Sequence, residues 1–168
     1  NEYTLTYTSG ENGSISGIAP QTVSHGSDGT PVTAIPDVGY HFVKWSDDVT
    51  TATRTDTGVT GNISVTAEFA INEYTLTYTA GANGTISGTT PQTVSHGSDG
   101  TAVTAVPDAG YHFVKWSDDV TTATRTDTGV TGDISVTAEF AINTYTVTFK
   151  NWNGDEIKTQ TVEHGSGA

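Results

Sequence analysis

The chain has 168 residues, of which 19 are acidic and 6 are lysine or arginine, giving a formal net charge of −13. A field of that sign repels phosphate polyanions and anionic lipid surfaces, so no nucleic acid is expected as a partner, and it suits a soluble, exposed protein. Cysteine is absent, which excludes a disulfide scaffold, Cys-ligated zinc and thiol catalysis. No apolar run approaches the ~20 residues of a membrane helix, so no membrane insertion is expected in this segment.

Asn1 is not a natural initiator, so a monomeric fragment of a longer chain is expected, with leader and anchor elsewhere. From there the pattern is period two. Tyr3, Leu5 and Tyr7 alternate with Thr4, Thr6 and Thr8, as in a half-buried strand. Gly10 to Gly13 breaks the run, and Gly26 to Gly29 and Asp37 to Gly39 interrupt the chain further on. Between them Val32 and Ala34 alternate with Thr33 and Ile35; after them Tyr40 and Phe42 alternate with His41 and Val43. Asp47 to Thr53 is the one stretch that could turn helically, and its threonines argue against a long helix. After Gly58 to Asn62, a closing strand is predicted in which Ile63, Val65, Ala67 and Phe69 alternate with Ser64, Thr66 and Glu68.

The whole pattern then starts again. Asn-Glu-Tyr-Thr-Leu-Thr-Tyr-Thr opens at Asn1 and at Asn72, a shift of 71 residues, and Tyr40, Trp45 and Phe69 recur as Tyr111, Trp116 and Phe140. Three domains are therefore expected: copy one at 1–71, copy two at 72–142, and a truncated copy three at 143–168. Copy three keeps a Tyr145-to-Phe149 strand and a Gln160-to-Ser166 segment. Asn153-Gly154 between them predicts a type I′ hairpin, which should pack on copy two because an isolated hairpin is marginal in water. The core of copy one is expected from Tyr3, Leu5, Tyr7, Ile15, Val23, Val32, Tyr40, Phe42, Trp45, Ile63, Val65 and Phe69. Its aromatic members Tyr40, Phe42, Trp45 and Phe69, with Tyr111, Phe113, Trp116 and Phe140 in copy two, are singled out as structural core. The Phe69-to-Tyr74 junction holds no Gly, Pro or Ser run, so a stiff, elongated rod of tandem β-modules with little or no helix is predicted.

Candidate chemistry is sparse. Each full copy offers two histidines (His25 and His41, His96 and His112), and His164 stands in copy three, too few for a metal site, and no calcium-loop spacing is present. Asp47 and Asp48 beside Trp45 invite comparison with a glycosidase pair, but neighbours on a strand face opposite ways. Lys44 and Lys115 are considered as crosslinking lysines, with an ordinary ion pair to Asp47 or Asp48 preferred for Lys44. Trp45, Trp116 and Trp152 could stack on sugars; the first two are expected in the core. No catalytic, cofactor-binding or metal residue is therefore assigned, and no cofactor is expected.

Gly39-Tyr40-His41-Phe42-Val43-Lys44-Trp45, followed by Thr60-Gly61-Asn62-Ile63-Ser64-Val65-Thr66-Ala67-Glu68-Phe69, resembles the divergent form of the internalin-B-type B repeat, also called the Listeria–Bacteroides repeat. The Tyr145-to-Gly165 stretch is similar to its more typical form. The resemblance implies β-grasp-like, antiparallel-sheet modules in arrays on secreted or wall-attached bacterial proteins, with no catalytic residues to carry over. It places the chain outside the cell or on its surface, as a spacer or stalk in an adhesin-like protein; the alternative is a module whose loops contact a host or matrix protein or a glycan.

Overall fold

A computed structural model describes residues 1–168. Its contacts divide the chain into two units: Asn1–Glu73 with the Ser95–Gly97 turn, and Tyr74–Val94 with Ser98–Ala168. There is no helix. Copy one runs β1 (Glu2–Ser9), β2 (Gly13–Ser16), β3 (Gln21–Ser24), β4 (Val32–Pro36), β5 (Tyr40–Trp45), β6 (Thr53–Arg54) and β7 (Ile63–Ile71). Copy two repeats the order as β8 (Glu73–Ala80), β9 (Gly84–Ser87), β10 (Gln92–Ser95), β11 (Val103–Pro107), β12 (Tyr111–Trp116), β13 (Thr124–Arg125) and β14 (Ile134–Ile142). Two strands complete the chain, β15 (Thr144–Lys150) and β16 (Glu156–Glu163).

Each full copy builds two sheets, β3-β1-β7-β5 with β2-β4-β6 in the first and β10-β8-β14-β12 with β13-β11-β9 in the second. One pairing departs from the antiparallel expectation: β1 and β7 run parallel, Leu5 opposite Ile63 and Tyr7 opposite Val65. A parallel pair needs a long crossover, and here the intervening chain makes the whole second sheet on its way back. The alternation seen in the sequence then does the packing. Leu5 and Tyr7 of β1, Val32 and Ala34 of β4, Trp45 of β5, and Val65 and Ala67 of β7 enclose one buried cluster, joined by Val59 from a loop. Phe69 lies over Gly13, where an added Cβ would fall 2.4 Å from its ring; only glycine leaves room for that contact.

Two local expectations are corrected. Asp47 to Thr53 forms no helix: a tight turn closes over Trp45–Val49, where the Asp48 N–H donates to the Trp45 carbonyl at 2.8 Å and the Trp45 N–H to the Val49 carbonyl at 2.8 Å, and Thr53 already belongs to β6. Asp48 sits at φ 67°, a conformation aspartate tolerates and a helix does not use. The hairpin turn is not type I′: that type needs positive φ at both central residues, and of this pair only Gly154 is positive. The Gly154 N–H donates to the Asn151 carbonyl at 3.1 Å, the Asn151 N–H donates to the Asp155 carbonyl at 2.9 Å, and the ladder slips between Phe149 and Lys150. A longer loop with a glycine-made bulge results, held by the Asn151 side chain accepting the Asp155 N–H at 2.8 Å.

Among the hydrogen bonds that differ between the two full copies, those of Thr90 stand out. In copy two the Thr90 hydroxyl accepts the Tyr78 N–H at 2.8 Å and donates to the Tyr78 carbonyl at 3.0 Å, extending the edge of β8 with a side chain. Copy one has Ala19 there. Ala19→Thr is expected to stabilise copy one by about 1 kcal/mol, the usual net value of such a bond. Thr90→Ala should cost copy two about as much, both read from urea midpoints; unchanged midpoints would remove the proposed contribution.

Candidate functional site: an arginine held between two carboxylates and two aromatic rings

The most elaborate constellation in each copy centres on a buried arginine. Arg54 is 8% exposed, on β6 at the edge of the second sheet. Its Nη1 and Nη2 bond Asp47 Oδ1 and Oδ2 at 2.9 and 3.0 Å. Its Nε and Nη2 bond Asp56 Oδ2 and Oδ1 at 3.2 and 2.7 Å, so both carboxylates are gripped bidentately. The Tyr7 hydroxyl donates to Asp56 Oδ2 at 2.6 Å. Arg54 Cζ stands 5.2 Å from the Trp45 ring centroid and 5.8 Å from that of Tyr7, within cation–π range of both. Trp45, itself 0% exposed, donates from Nε1 to the Thr51 carbonyl at 3.1 Å. Tyr7 meets it edge-on at 6.0 Å, Phe42 tilts against it at 5.9 Å, and Phe69 meets Phe42 edge-on. Copy two repeats the arrangement around Arg125, Asp118, Asp127, Tyr78 and Trp116, except that Arg125 reaches Asp118 through one bond, from Nη1 to Oδ1.

The electrostatics arise from these contacts. The Arg54 hydrogen bonds hold the Asp47 carboxyl below the usual carboxylate range. Burial pushes Asp56 upward, but the Arg54 guanidinium and the Tyr7 hydroxyl outweigh it, and its carboxyl also sits low. Burial works against the Arg54 charge too, and its two carboxylates overcome that and raise its pKa. Burial, and then donation to Asp56, raise the Tyr7 phenol. A carboxyl whose folded pKa lies below its unfolded value, ~3.9 for Asp, stabilises the fold above that value and ceases to as pH falls through the folded pKa. The melting midpoint should therefore hold between pH 7 and about pH 5 and drop below about pH 4. A thermal series across that span checks this; a midpoint flat to about pH 2.5 contradicts it.

The residues singled out from sequence fall into two groups. Trp45 and Trp116 are fully buried, while Phe42, Phe69, Phe113 and Phe140 are half-buried and packed against the two clusters. Tyr40 and Tyr111 are half-buried at the start of β5 and β12, opposite Ile71 and Ile142 and outside the buried clusters. Asp47 and Asp48 are not a pair: Asp47 serves Arg54, and Asp48 takes Lys44 Nζ at 2.8 Å. Lys115 repeats this with Asp119. Asn62 lies at the other end of β7, where its Oδ1 accepts the Thr4 N–H; Asp133 does the same for Thr75, which explains why the exchange is tolerated. No three His, Asp or Glu side chains are grouped to hold a metal. Trp152 projects from the hairpin turn, 97% exposed.

His25, His96 and His164 stand at turns, and His41 and His112 near the starts of β5 and β12. In the first unit Gly39 has φ 85°, and a Cβ there would fall 2.4 Å from the His96 ring. Asn72 beside it is bonded through three groups: its N–H donates to the Gly39 carbonyl at 2.8 Å, its carbonyl accepts the His96 N–H at 2.8 Å, and its Oδ1 meets His41 Nδ1 at 2.9 Å. The second unit repeats this with Gly110, Asn143, His164 and His112.

The family model for the divergent InlB B-repeat domain matches the chain twice, over residues 3–73 and 74–144. The chain belongs to the divergent InlB B-repeat family. No solved structure matches it. The family suggests a repeat module of bacterial surface or secreted proteins, and repeat domains of that kind are typically non-catalytic. Within this InlB B-repeat chain, sequence reading missed Arg54 and Arg125, and also Gln21 and Gln92. Gln21 is buried and closes a loop by bonding both the N–H and the carbonyl of Thr30. A signal for the arginine existed: each full copy has one arginine, in a Thr-Arg-Thr-Asp run downstream of an Asp-Asp pair.

Proposed function

We propose that this chain is a non-catalytic stalk segment of a bacterial cell-surface or secreted protein, a stiff spacer that carries another part of the polypeptide away from the cell. The supporting observation is the junction. β7 ends at Ile71 and β8 begins at Glu73, so Asn72 alone separates the strands of successive copies. Its N–H, carbonyl and side-chain oxygen are hydrogen-bonded, whereas a Gly/Ser linker leaves such groups to solvent and the chain free to bend. The high negative charge supports the same reading, because like-charged neighbouring stalks repel rather than associate.

The absence of cysteine allows a direct test with nitroxide pairs at Ser14→Cys and Thr85→Cys, equivalent exposed positions in the two copies. The expected result is a single narrow distance distribution that broadens when Gly-Ser-Gly-Ser is inserted after Asn72. A wild-type distribution as broad as that of the insertion variant would remove the spacer reading. An adhesive role is favoured by one feature: each copy has an open groove of about 300–370 Å³ beside β3 or β10, lined in the first by Ile18, Pro20, Thr22, Asp28 and Thr30. Saturable binding to host cells or glycans that grows with copy number would support that alternative.

A further inference from the structure

We propose that Asn153 is a site of spontaneous covalent self-modification, at which the side-chain amide is lost as ammonia and aspartate or isoaspartate is left. The Gly154 nitrogen, once its proton has gone to solvent, attacks Asn153 Cγ. The Cγ–Nδ2 bond breaks, the leaving nitrogen takes up a proton and departs as ammonia, and a five-membered imide remains. Water then opens the ring at either carbonyl, giving aspartate or, with the backbone rerouted through the side chain, isoaspartate. Water is the only reagent consumed. Glycine is the residue that permits the attack, because no Cβ crowds its amide nitrogen. Three asparagines precede glycine, Asn12, Asn83 and Asn153, and the others precede Glu, Ile, Thr or Trp.

The fold separates the three. Closing the ring needs rotation about the asparagine Cα–C bond, which swings the asparagine carbonyl and carries the glycine with it. The Asn12 carbonyl accepts the Asp37 N–H at 2.9 Å, and the Asn83 carbonyl accepts the Asp108 N–H at 3.0 Å. Gly13 and Gly84 open β2 and β9 beneath the Phe69 and Phe140 rings, and the Gly13 carbonyl also accepts the Ser9 hydroxyl at 2.6 Å. Asn153 has none of these restraints. Its carbonyl accepts no backbone N–H, and a Cβ at Gly154 would meet nothing within 4 Å. The Gly154 N–H is tied to the Asn151 carbonyl at 3.1 Å, toward the long end of the normal range. The Asp155 nitrogen lies 3.4 Å from Asn153 Oδ1, a donor within reach of the oxygen on which charge builds as the ring closes. All the contacts around Asn153 fall within Asn151–Asp155, the hairpin tip itself, and the modification is independent of the spacer role. Isoaspartate would place an extra carbon in the backbone inside the turn that the Gly154–Asn151 bond closes, and either product adds a negative charge.

The test holds the full chain at mildly alkaline pH and follows it by peptide mapping, with fragmentation that separates aspartate from isoaspartate. Conversion at Asn153 is expected to run at least about tenfold faster than at Asn12 or Asn83, where a local opening must come first. In urea, where no contact restrains any of the three, the rates should converge. The rate at Asn153 should rise with pH, since the Gly154 nitrogen attacks only after its proton has left. Asn153→Gln, whose ring would need a sixth member, should remove the fast conversion while the amide shifts of Val147 and Gln160, opposite each other in the hairpin, persist. Equal rates at the three sites in the folded chain, or Asn12 or Asn83 converting first, would overturn the proposal. So would an Asn153 that converts in urea and stays intact in the folded chain.

Discussion

Arg54→Ala is expected to destabilise copy one by about 3–5 kcal/mol, the range for breaking a buried ion pair from one side. The cost is not the lost attraction alone. Asp56 keeps only 16% of its side chain exposed and would be left with a negative charge and a single donor, the Tyr7 hydroxyl. Asp47, 40% exposed, can turn to water and should add little, which places the effect toward the lower end. Small domains of this kind have few kcal/mol to spare. Copy two retains Arg125 and its own carboxylates, so denaturation of the variant should separate into two transitions, the earlier one belonging to copy one. Arg54→Lys keeps the charge but cannot fork across two carboxylates, and should fall between wild type and the alanine variant. A loss below about 1 kcal/mol for Arg54→Ala would mean that the network is ornamental.

Trp45→Ala should cost about as much, in the range of about 3–5 kcal/mol for removing a large buried aromatic. Trp45 is fully enclosed, touches Tyr7 and Phe42 through ring contacts, and forms one of the two faces against which Arg54 lies. Its removal therefore opens a cavity and frees the guanidinium at the same time. Because the two side chains share one environment, the double variant with Arg54→Ala should lose less than the sum of the single losses, by about 0.5–3 kcal/mol. Strict additivity in urea denaturation would show that ring and guanidinium act independently.

The contrast between what could and could not be read from the chain has a physical cause. Alternation of Tyr3, Leu5 and Tyr7 against threonine places a strand and its inward face, and the parallel run of Ile63, Val65 and Ala67 does the same for β7. Period two carries no information on strand direction, so the parallel pairing of β1 with β7 was invisible. It is decided by the long crossover through the second sheet. Trp45 was legible as core because a large aromatic at the end of an alternating strand has few other places to go. Arg54 was not, because a lone basic residue in a Thr-rich loop reads as solvated. Only the turn at Asp48 and the return through β6 bring Asp47, Asp56 and Tyr7 around it. The hairpin turn shows the same limit: Asn153-Gly154 announces a turn, but the Asn151 side chain selects its type.

The junction at Asn72 is tested most directly by small-angle scattering from the 168-residue chain in dilute solution. A compact globule of that length has a radius of gyration of about 15 Å and an unfolded chain about 43 Å. A stiff junction predicts an intermediate radius, a pair-distance distribution with one early peak and a long tail, and a Kratky curve that returns to baseline. A symmetric distribution at the compact radius, or a Kratky curve that keeps rising, would contradict it.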